Sequence, residues 1–335
     1  MDNVIQFNTK EDKNVWNCIN TFLNRIGQNS ENTKATYERS IRDFFRTMKG
    51  KELESLVEDD LIFTKPQVET YQVNLKDRNF KSTTVNNKMS ALKKCYTKLK
   101  EYGFNVDPDW FLLDRYDEHD KESHDSMTHE EIVKAINLVS QTRQGLQKSL
   151  LIRLAYATAF RKESLLSLKW RDIINRDGTW FVKTLGKGNK WDYKKISSNL
   201  YDELMKYKET SEREKIFTLT KKTVNAMMKY IRDNISFGDR KITFHSLKKS
   251  SIEEVALITN YDLKAMQRQG NHANITTTLN DYMAKKSLDD MVVVDIDFHV
   301  PIEKFDELSR EELINLIKNS DRSIQIKLLQ KLETL

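Results

Sequence analysis

Turn-forming residues are scarce in this chain, which has only 9 Gly and 3 Pro among 335 residues. A many-stranded sandwich or barrel needs such residues at each of its turns. With 32% charged and 38% hydrophobic residues, the chain still has enough apolar side chains to form cores. The composition therefore predicts a mainly helical fold, and the length predicts two domains.

Four stretches in the first third have apolar residues at helical spacing. They run over Trp16–Ile26, Tyr37–Met48, Val68–Leu75 and Val85–Leu99. Gly27, Gly50 and Gly103 are expected to end three of these helices. The pattern predicts a four-helix unit in a first domain, residues 1–113.

An acidic segment follows. Residues 114–125, DRYDEHDKESHD, hold six acids and two bases and are expected to form an exposed linker. His119, His124 and His129 are spaced five residues apart, which matches no compact metal-ligand pattern, so we expect solvated histidines and no metal site. Thr128 begins a capping box that predicts the first helix of the second domain.

The second domain, residues 126–295, has one strong sheet signal. The β-prone runs Trp180–Lys183 and Trp191–Ile196 flank a glycine-rich turn and predict a β-hairpin. Helices are expected around it, with a break at Ala159–Phe160.

The C-terminal tail, residues 296–335, is predicted to be helical. It has an apolar stripe that includes Leu313, Ile317 and Leu328, and such a stripe needs a partner to bury it. The partner can be the tail's own domain or a neighbouring protomer, and both remain open.

Five features then follow one another in a fixed order. They are Arg161 in YATAFRKESLLSLKW, Lys187 in the hairpin turn, His245 and Lys248 in FHSLKKS, His272 in GNHANITTTLNDYM, and Tyr282 ten residues after His272. This arrangement resembles the tyrosine recombinases, or phage integrase family, whose motifs are "TGLRxxELLxLxW", a lysine β-turn, "HxLR", "GH" and "TTxxxY". The resemblance implies a clamp of two mostly helical domains around duplex DNA, a core-binding domain followed by a catalytic-type domain.

The resemblance also implies roles. Tyr282 would attack a DNA phosphate to give a 3′-phosphotyrosine and a free 5′-hydroxyl, without metal or nucleotide cofactor. Arg161 would clamp the phosphoryl oxygens, and Lys187 would protonate the leaving oxygen. His245 and His272 would donate supporting hydrogen bonds.

Four departures from the family pattern lie in or beside these motifs. Lys248 replaces the arginine of "HxLR", Ala159 and Asn271 replace glycines, and Ser164 stands where a glutamate is expected, with Glu163 one position early. An ammonium lacks the planar fork of a guanidinium, and losing one preorganised contact of this kind costs about 10²- to 10³-fold in rate.

Two functions therefore remain. One is a sequence-specific DNA-binding regulator, such as a mobile-element or prophage repressor, that no longer cuts DNA. The other is an active site-specific recombinase in which Lys248 substitutes for arginine.

Further DNA contacts are expected from polar and basic residues at two places. They are Lys81, Ser82, Thr83, Thr84, Asn87 and Lys88 at the start of the fourth helix, and Lys241 and Lys249 near His245. A solvated helix start, and basic residues that simply face water, are the alternatives. The net charge of +6 fits a nucleic-acid partner and equally an ordinary basic protein.

The remaining expectations concern environment and partners. Cys18 and Cys95 are too few for a disulfide scaffold, and the longest apolar run, Met291–Val294, is far short of a membrane span. We expect a soluble protein of the bacterial cytoplasm or nucleoid that binds a specific site on double-stranded DNA. Self-association through the tail remains open. A small regulatory protein or peptide partner is left open.

Overall fold

The computed structural model describes residues 14–117, 124–186, 191–210, 212–272, 274–282 and 302–333. The chain divides into two compact units, Met1–Glu122 and Ser123–Leu335. Both units are mainly helical, which confirms the predicted fold class. No helix in the described ranges is long and apolar enough to cross a membrane.

The first unit contains the four predicted helices. They are α1 (Val15–Asn29), α2 (Glu31–Lys49), α3 (Lys65–Asp77) and α4 (Ser82–Glu101). Phe44 lies fully buried at their centre, in edge contact with Tyr71. Gly50 ends α2 in the left-handed conformation, as predicted, with φ 65°. Gly27 does not end α1, which continues to Asn29.

The second unit holds the remaining helices. They are α5 (His129–Ser140), α6 (Gly145–Thr158), α7 (Lys162–Ser167), α8 (Ser198–Lys208), α9 (Lys221–Asn234), α10 (Phe244–Ile258), α11 (Leu263–Gly270), α12 (Ile275–Tyr282), α13 (Arg310–Asn319) and α14 (Arg322–Leu332). Helix α6 is buried along most of its length and packs against α5, α8 and α10. The capping box at Thr128 begins α5 as predicted, whereas α8 and α11 were not predicted.

A three-stranded antiparallel sheet joins these helices in the order β1 (Ile173–Arg176), β2 (Thr179–Leu185), β3 (Trp191–Ile196). Strands β2 and β3 form the predicted hairpin, with Leu185 paired to Trp191 at its last described position. Strand β1 was missed because it has only four residues, none of them fully buried, and so carries no clear alternation.

The tail is helical, as predicted, and forms two helices separated at Ser320–Asp321. Helix α14 lies on α10 of its own unit, where Arg322 pairs with Glu254 at 2.8 Å. Leu329 and Leu332 nevertheless remain 60% and 65% exposed. The tail thus contacts its own domain and still presents an apolar edge.

Candidate functional site

A cleft of about 420 Å³ opens in the second unit beside the N-termini of α7 and α10. Its polar and basic lining consists of His124, Arg161, Lys162, Asn225, Arg232, Thr243, His245 and Lys248. No carboxylate belongs to this lining within the described ranges. Such a surplus of positive charge over negative suits a bound anion.

The turn between α6 and α7 places Arg161 at the cleft. Ala159 has left-handed φ and ψ values of 53° and 20°, and Arg161 is the extended N-cap of α7. Ala159 therefore occupies a backbone conformation that suits the glycine of the family motif, at a cost of about 1–2 kcal/mol for a residue with a Cβ. Within the described ranges the guanidinium of Arg161 has no hydrogen-bond or ion-pair partner, so it is available to an anion.

His245 lies in the first turn of α10, after the N-cap Thr243. Its imidazole contacts that of His124, with the ring centroids 5.6 Å apart. Partial desolvation in the cleft, followed by the nearby charges of Lys248, His124 and Arg161, lowers the pKa of His245 from 6.5 to about 4. At pH 7 His245 is therefore a neutral donor or acceptor and adds no positive charge.

Lys248 is only 5% exposed, and its ammonium donates to the main-chain carbonyl of Gly270. Burial, and then the charges of Arg161 and Lys194, lower the pKa of Lys248 to about 8. The carbonyl belongs to the last residue of α11, where carbonyls lack partners within the helix and the helix dipole is negative. Lys248 thus caps a helix at the position where the family motif has its second phosphate-binding arginine.

A second buried lysine caps the same helix. Lys194 on β3 donates to the carbonyl of Arg268 and pairs with Asp192 at 3.0 Å. Burial is the main cause that lowers the pKa of Lys194, and Asp192 opposes that shift. The side chain of Asn271, just after α11, donates to Asp192 at 2.8 Å. These contacts join β3 to the end of α11.

His272 is positioned by the residues on either side of it. Asn271 has left-handed φ and ψ values of 48° and 49°, which asparagine tolerates better than most residues, so the glycine of "GH" is replaced without loss of this turn. A Cβ on Gly270 would lie 2.7 Å from the His272 ring. The ring of His272 is also held by Thr278, whose Oγ1 lies 3.0 Å from His272 Nδ1.

The remaining predicted residues of this site are only partly described. Lys187 lies outside the described residues, as does the side chain of Tyr282, whose backbone ends α12. Glu163 pairs with Lys221 at the surface. Glu163, one position before the glutamate of the family motif, is therefore engaged by Lys221.

Two of the residues predicted to contact DNA from α4 are engaged within the first unit. Ser82 is buried and accepts a hydrogen bond from Lys76 at 3.3 Å. Lys88 pairs with Asp43 at 2.8 Å and its side chain is 12% exposed. In this structure both side chains are thus held by contacts within the first unit, where α4 packs against α2 and α3.

The other α4 positions differ in exposure. Lys81 and Asn87 are exposed, while Thr83 and Thr84 are half-buried. In the second unit Lys241 is exposed and Lys249 half-buried, and both make further interactions there.

Many of the basic residues around His245 are also paired within the domain. Lys229 pairs with Asp233, and Arg240 pairs with Glu131. The segment around His245 therefore offers fewer unpaired cations to DNA than its number of lysines and arginines indicates.

His124 and Asp125 differ from the solvated linker expected at 114–125. His124 lines the cleft, and Asp125 Oδ2 accepts a hydrogen bond from the Lys241 amide at 2.8 Å. Sequence spacing contains no signal for this contact, because Lys241 lies 116 residues further along the chain. In the described ranges, no group of three His, Cys, Asp or Glu residues could hold a metal ion.

Comparisons with known proteins agree with this architecture. Residues 125–288 match the phage integrase family, and residues 19–103 match the phage integrase N-terminal SAM-like domain. The chain belongs to the phage integrase family. The second match covers α2, α3, α4 and most of α1, and the first covers every lining residue of the cleft except His124.

This phage integrase family member is similar to named recombinases. It is 29% identical over 300 residues to the SPbeta prophage-derived probable integrase/recombinase YopP of Bacillus subtilis (strain 168), covering 87% of this chain and 84% of the relative. It is 23% identical over 280 residues to the tyrosine recombinase XerD of Oceanobacillus iheyensis, covering 78% and 91%.

Solved structures show the same fold. A lambda integrase dimer bound to a COC′ core site matches with a TM-score of 0.62 and 18% identity over 83% of this chain and 98% of that one. The Tn1549 transposon integrase in complex with transposon right end DNA matches with a TM-score of 0.60 and 17% identity over 82% and 96%.

Proposed function

We propose that this chain is a sequence-specific double-stranded DNA-binding protein with a recombinase fold, impaired in strand cleavage, that acts as a regulator or repressor of a mobile element or prophage. The observation that carries the proposal is the position of Lys248, buried and donating to the Gly270 carbonyl. The residue at the second arginine position thus caps α11 and does not present a bidentate donor to a phosphate.

The chemistry of phosphoryl transfer explains why this matters. The transition state places additional negative charge on the phosphoryl oxygens, and two guanidinium groups normally share it. Here Arg161 is available, while Lys248 has one ammonium already engaged by a backbone carbonyl. A deficit of about 10²- to 10³-fold in rate is expected from the loss of one such contact.

DNA binding depends on more contacts than cleavage does. The cleft has a basic lining without a carboxylate in the described ranges, and Lys81 and Asn87 are exposed on the first unit. Structures of the same fold include integrases in complex with DNA. Binding spread over two units does not require a complete catalytic set. The prophage context is supported by the name of the relative YopP.

The second candidate function is an active tyrosine recombinase. Arg161 and His245 line one cleft, as the family mechanism requires, and the backbone of α12 carries Tyr282 in the described part of the chain. The relatives are named integrases or recombinases. In this case Lys248 would have to leave Gly270 when DNA binds.

A covalent-trapping experiment separates the two functions. The chain first selects its site from random duplexes, and a nicked copy of that site is then used to trap a protein–DNA adduct on a denaturing gel. We expect little or no adduct from the unmodified chain, equal DNA occupancy by Tyr282→Phe, and no efficient strand exchange by Lys248→Arg alone, because the changes at Ser164 and Asn271 remain. XerD of Oceanobacillus iheyensis on its own site is the positive control.

A robust adduct that disappears in Tyr282→Phe would establish the recombinase instead. DNA binding is checked independently by its salt dependence. Neutralisation of five or more phosphates predicts a slope of log affinity against log salt steeper than about −4. A flat response would remove the DNA-binding proposal itself.

A further inference from the structure

His124 lies in the cleft although neither its motif context nor its spacing predicts a role there. It is the second residue of the second unit and contacts His245 ring to ring, with centroids 5.6 Å apart and planes inclined at 61°. It also lines the same cleft as Arg161. The same cleft thus holds this imidazole and a guanidinium that has no partner in the described part of the chain.

The segment that carries His124 is held at several points. The Asp125 amide donates to the Lys241 carbonyl at 3.2 Å, and the Asp125 carboxylate accepts from the Lys241 amide at 2.8 Å. The Met127 amide donates to Ser250 Oγ at 2.7 Å. His124 is therefore placed by hydrogen bonds that its neighbours Asp125 and Met127 form with the loop before α10 and with α10 itself.

The two ring nitrogens of His124 differ in their surroundings. Nδ1 is buried and has no hydrogen-bond partner in the described part of the chain. Nε2 is not among the buried unpartnered atoms of that part, and no hydrogen bond to it is formed there. A neutral imidazole has one N–H donor and one acceptor nitrogen. Because a buried N–H without a partner is costly, the proton belongs on Nε2, the accessible atom.

We propose that His124 is a phosphate-contacting residue of this cleft, donating from Nε2 to a backbone phosphate of bound DNA beside Arg161. The inference rests on the proposed DNA-binding function and adds a ligand from outside the recombinase motifs. Histidine can be mimicked one nitrogen at a time, because the amide of glutamine reaches the position of Nε2 and that of asparagine the position of Nδ1. Glutamine is therefore the conservative replacement that retains the proposed contact.

The test measures affinity for the selected duplex. His124→Ala and His124→Asn are expected to bind about tenfold more weakly than the unmodified chain, consistent with a hydrogen bond to a charged group, and His124→Gln within about threefold of it. His129→Ala is the matched control, since its Nδ1 is also buried and unpartnered within the described ranges but its ring lies against Tyr156. That variant is expected to bind normally. Thermal unfolding of each variant shows whether the fold is retained.

A scan with neutral methylphosphonate linkages then locates the contact. At one linkage, replacing the phosphate with a methylphosphonate should weaken binding by the unmodified chain. The same replacement should not weaken binding by His124→Ala any further. Binding by His124→Ala within threefold of normal, failure of His124→Gln to restore binding, or an equal deficit at every linkage would overturn the inference.

A DNA-free measurement keeps this outcome distinct from failure of the proposed function. Inorganic phosphate at millimolar concentration should shift the Nε2 resonance of His124 and leave that of His129 in place. Absence of this shift would overturn the inference even if the chain binds DNA. Absence of DNA binding together with the shift would overturn the proposed function alone.

Discussion

The ammonium of Lys248 donates a hydrogen bond to the main-chain carbonyl of Gly270, two residues before His272. The carbonyl of Gly270 thus accepts from a buried lysine, and the imidazole of His272 occupies the space that a Cβ on Gly270 would need. The two motifs that supply donors in this family are therefore joined here through a single residue at the end of α11.

The stability of the protein should depend on pH through Lys248. Its pKa is about 8 in the folded protein and 10.5 without perturbation, so between these values the unfolded chain binds more protons than the folded one. The free energy of unfolding should therefore rise with pH from about 8 to 10.5, by at most about 3 kcal/mol. Urea unfolding at pH 7.5 and 9.5 should show this rise, and Lys248→Met should reduce it to the part that comes from Lys194, whose pKa burial also lowers.

Lys222→Met is the control for this measurement because Lys222 is exposed. It should leave the pH dependence unchanged. Parallel pH profiles for the unmodified chain and Lys248→Met would show that the buried ammonium is not destabilised.

His245 should titrate far below an ordinary histidine. Desolvation and the nearby cations favour its neutral form and lower its pKa to about 4. An NMR titration of the ring should show this value, and Lys248→Met should raise it because one of those cations is removed. Lys222→Met should have no effect. A midpoint near 6.5 in the unmodified chain would contradict the description of this site.

Gly270→Ala should destabilise the protein and displace His272. The new Cβ would lie 2.7 Å from the imidazole and 2.9 Å from Ile252 Cδ1, and overpacking of this kind costs about 1–3 kcal/mol. Thermal unfolding measures the loss, and the ring resonances of His272 report the displacement.

Gly27→Ala is the control, because it is expected to raise the stability that Gly270→Ala lowers. Its Cβ would meet only the side chains of Glu31 and Lys34, which can move, while alanine favours the helix interior by about 1 kcal/mol. A gain in stability at Gly27 and a loss at Gly270 is the expected pair. A stable Gly270→Ala with unshifted His272 resonances would show that the ring does not need this glycine.

Removal of the tail should affect cooperativity more than single-site binding. Deletion from residue 306 onward removes the exposed Leu329 and Leu332, the apolar edge through which we propose self-association. Titrations on DNA with one and with several sites should show normal affinity for the first and weaker cooperative binding for the second. Leu329→Asp with Leu332→Asp tests the same edge while retaining α14.

Because Arg322 of α14 pairs with Glu254 of α10, the deletion also exposes part of α10. If the deletion weakens both titrations equally and the double substitution changes neither, the tail serves only to cover its own domain.

Local patterns account for the parts of this protein that could be predicted. The helical spacing of apolar residues in α1 to α4, the left-handed Gly50 and the capping box at Thr128 depend on residues within a few positions of one another. The β2–β3 hairpin is equally local. The order of Arg161, Lys187, His245, Lys248, His272 and Tyr282 carried the family assignment for the same reason, because it needs no knowledge of contacts.

The tertiary structure decided which of those side chains are available. Lys248 is engaged by a carbonyl 22 residues away, and Lys88 by Asp43, 45 residues away. His124 reaches the cleft through the contact of its neighbour Asp125 with Lys241. The sequence by itself determined most of the helices, the β2–β3 hairpin and the residues of the family motifs, since periodicity and capping are local. Burial and pairing depend on distant segments that meet only on folding, so only the folded chain shows that Lys248 caps a helix and that His124 lines the cleft.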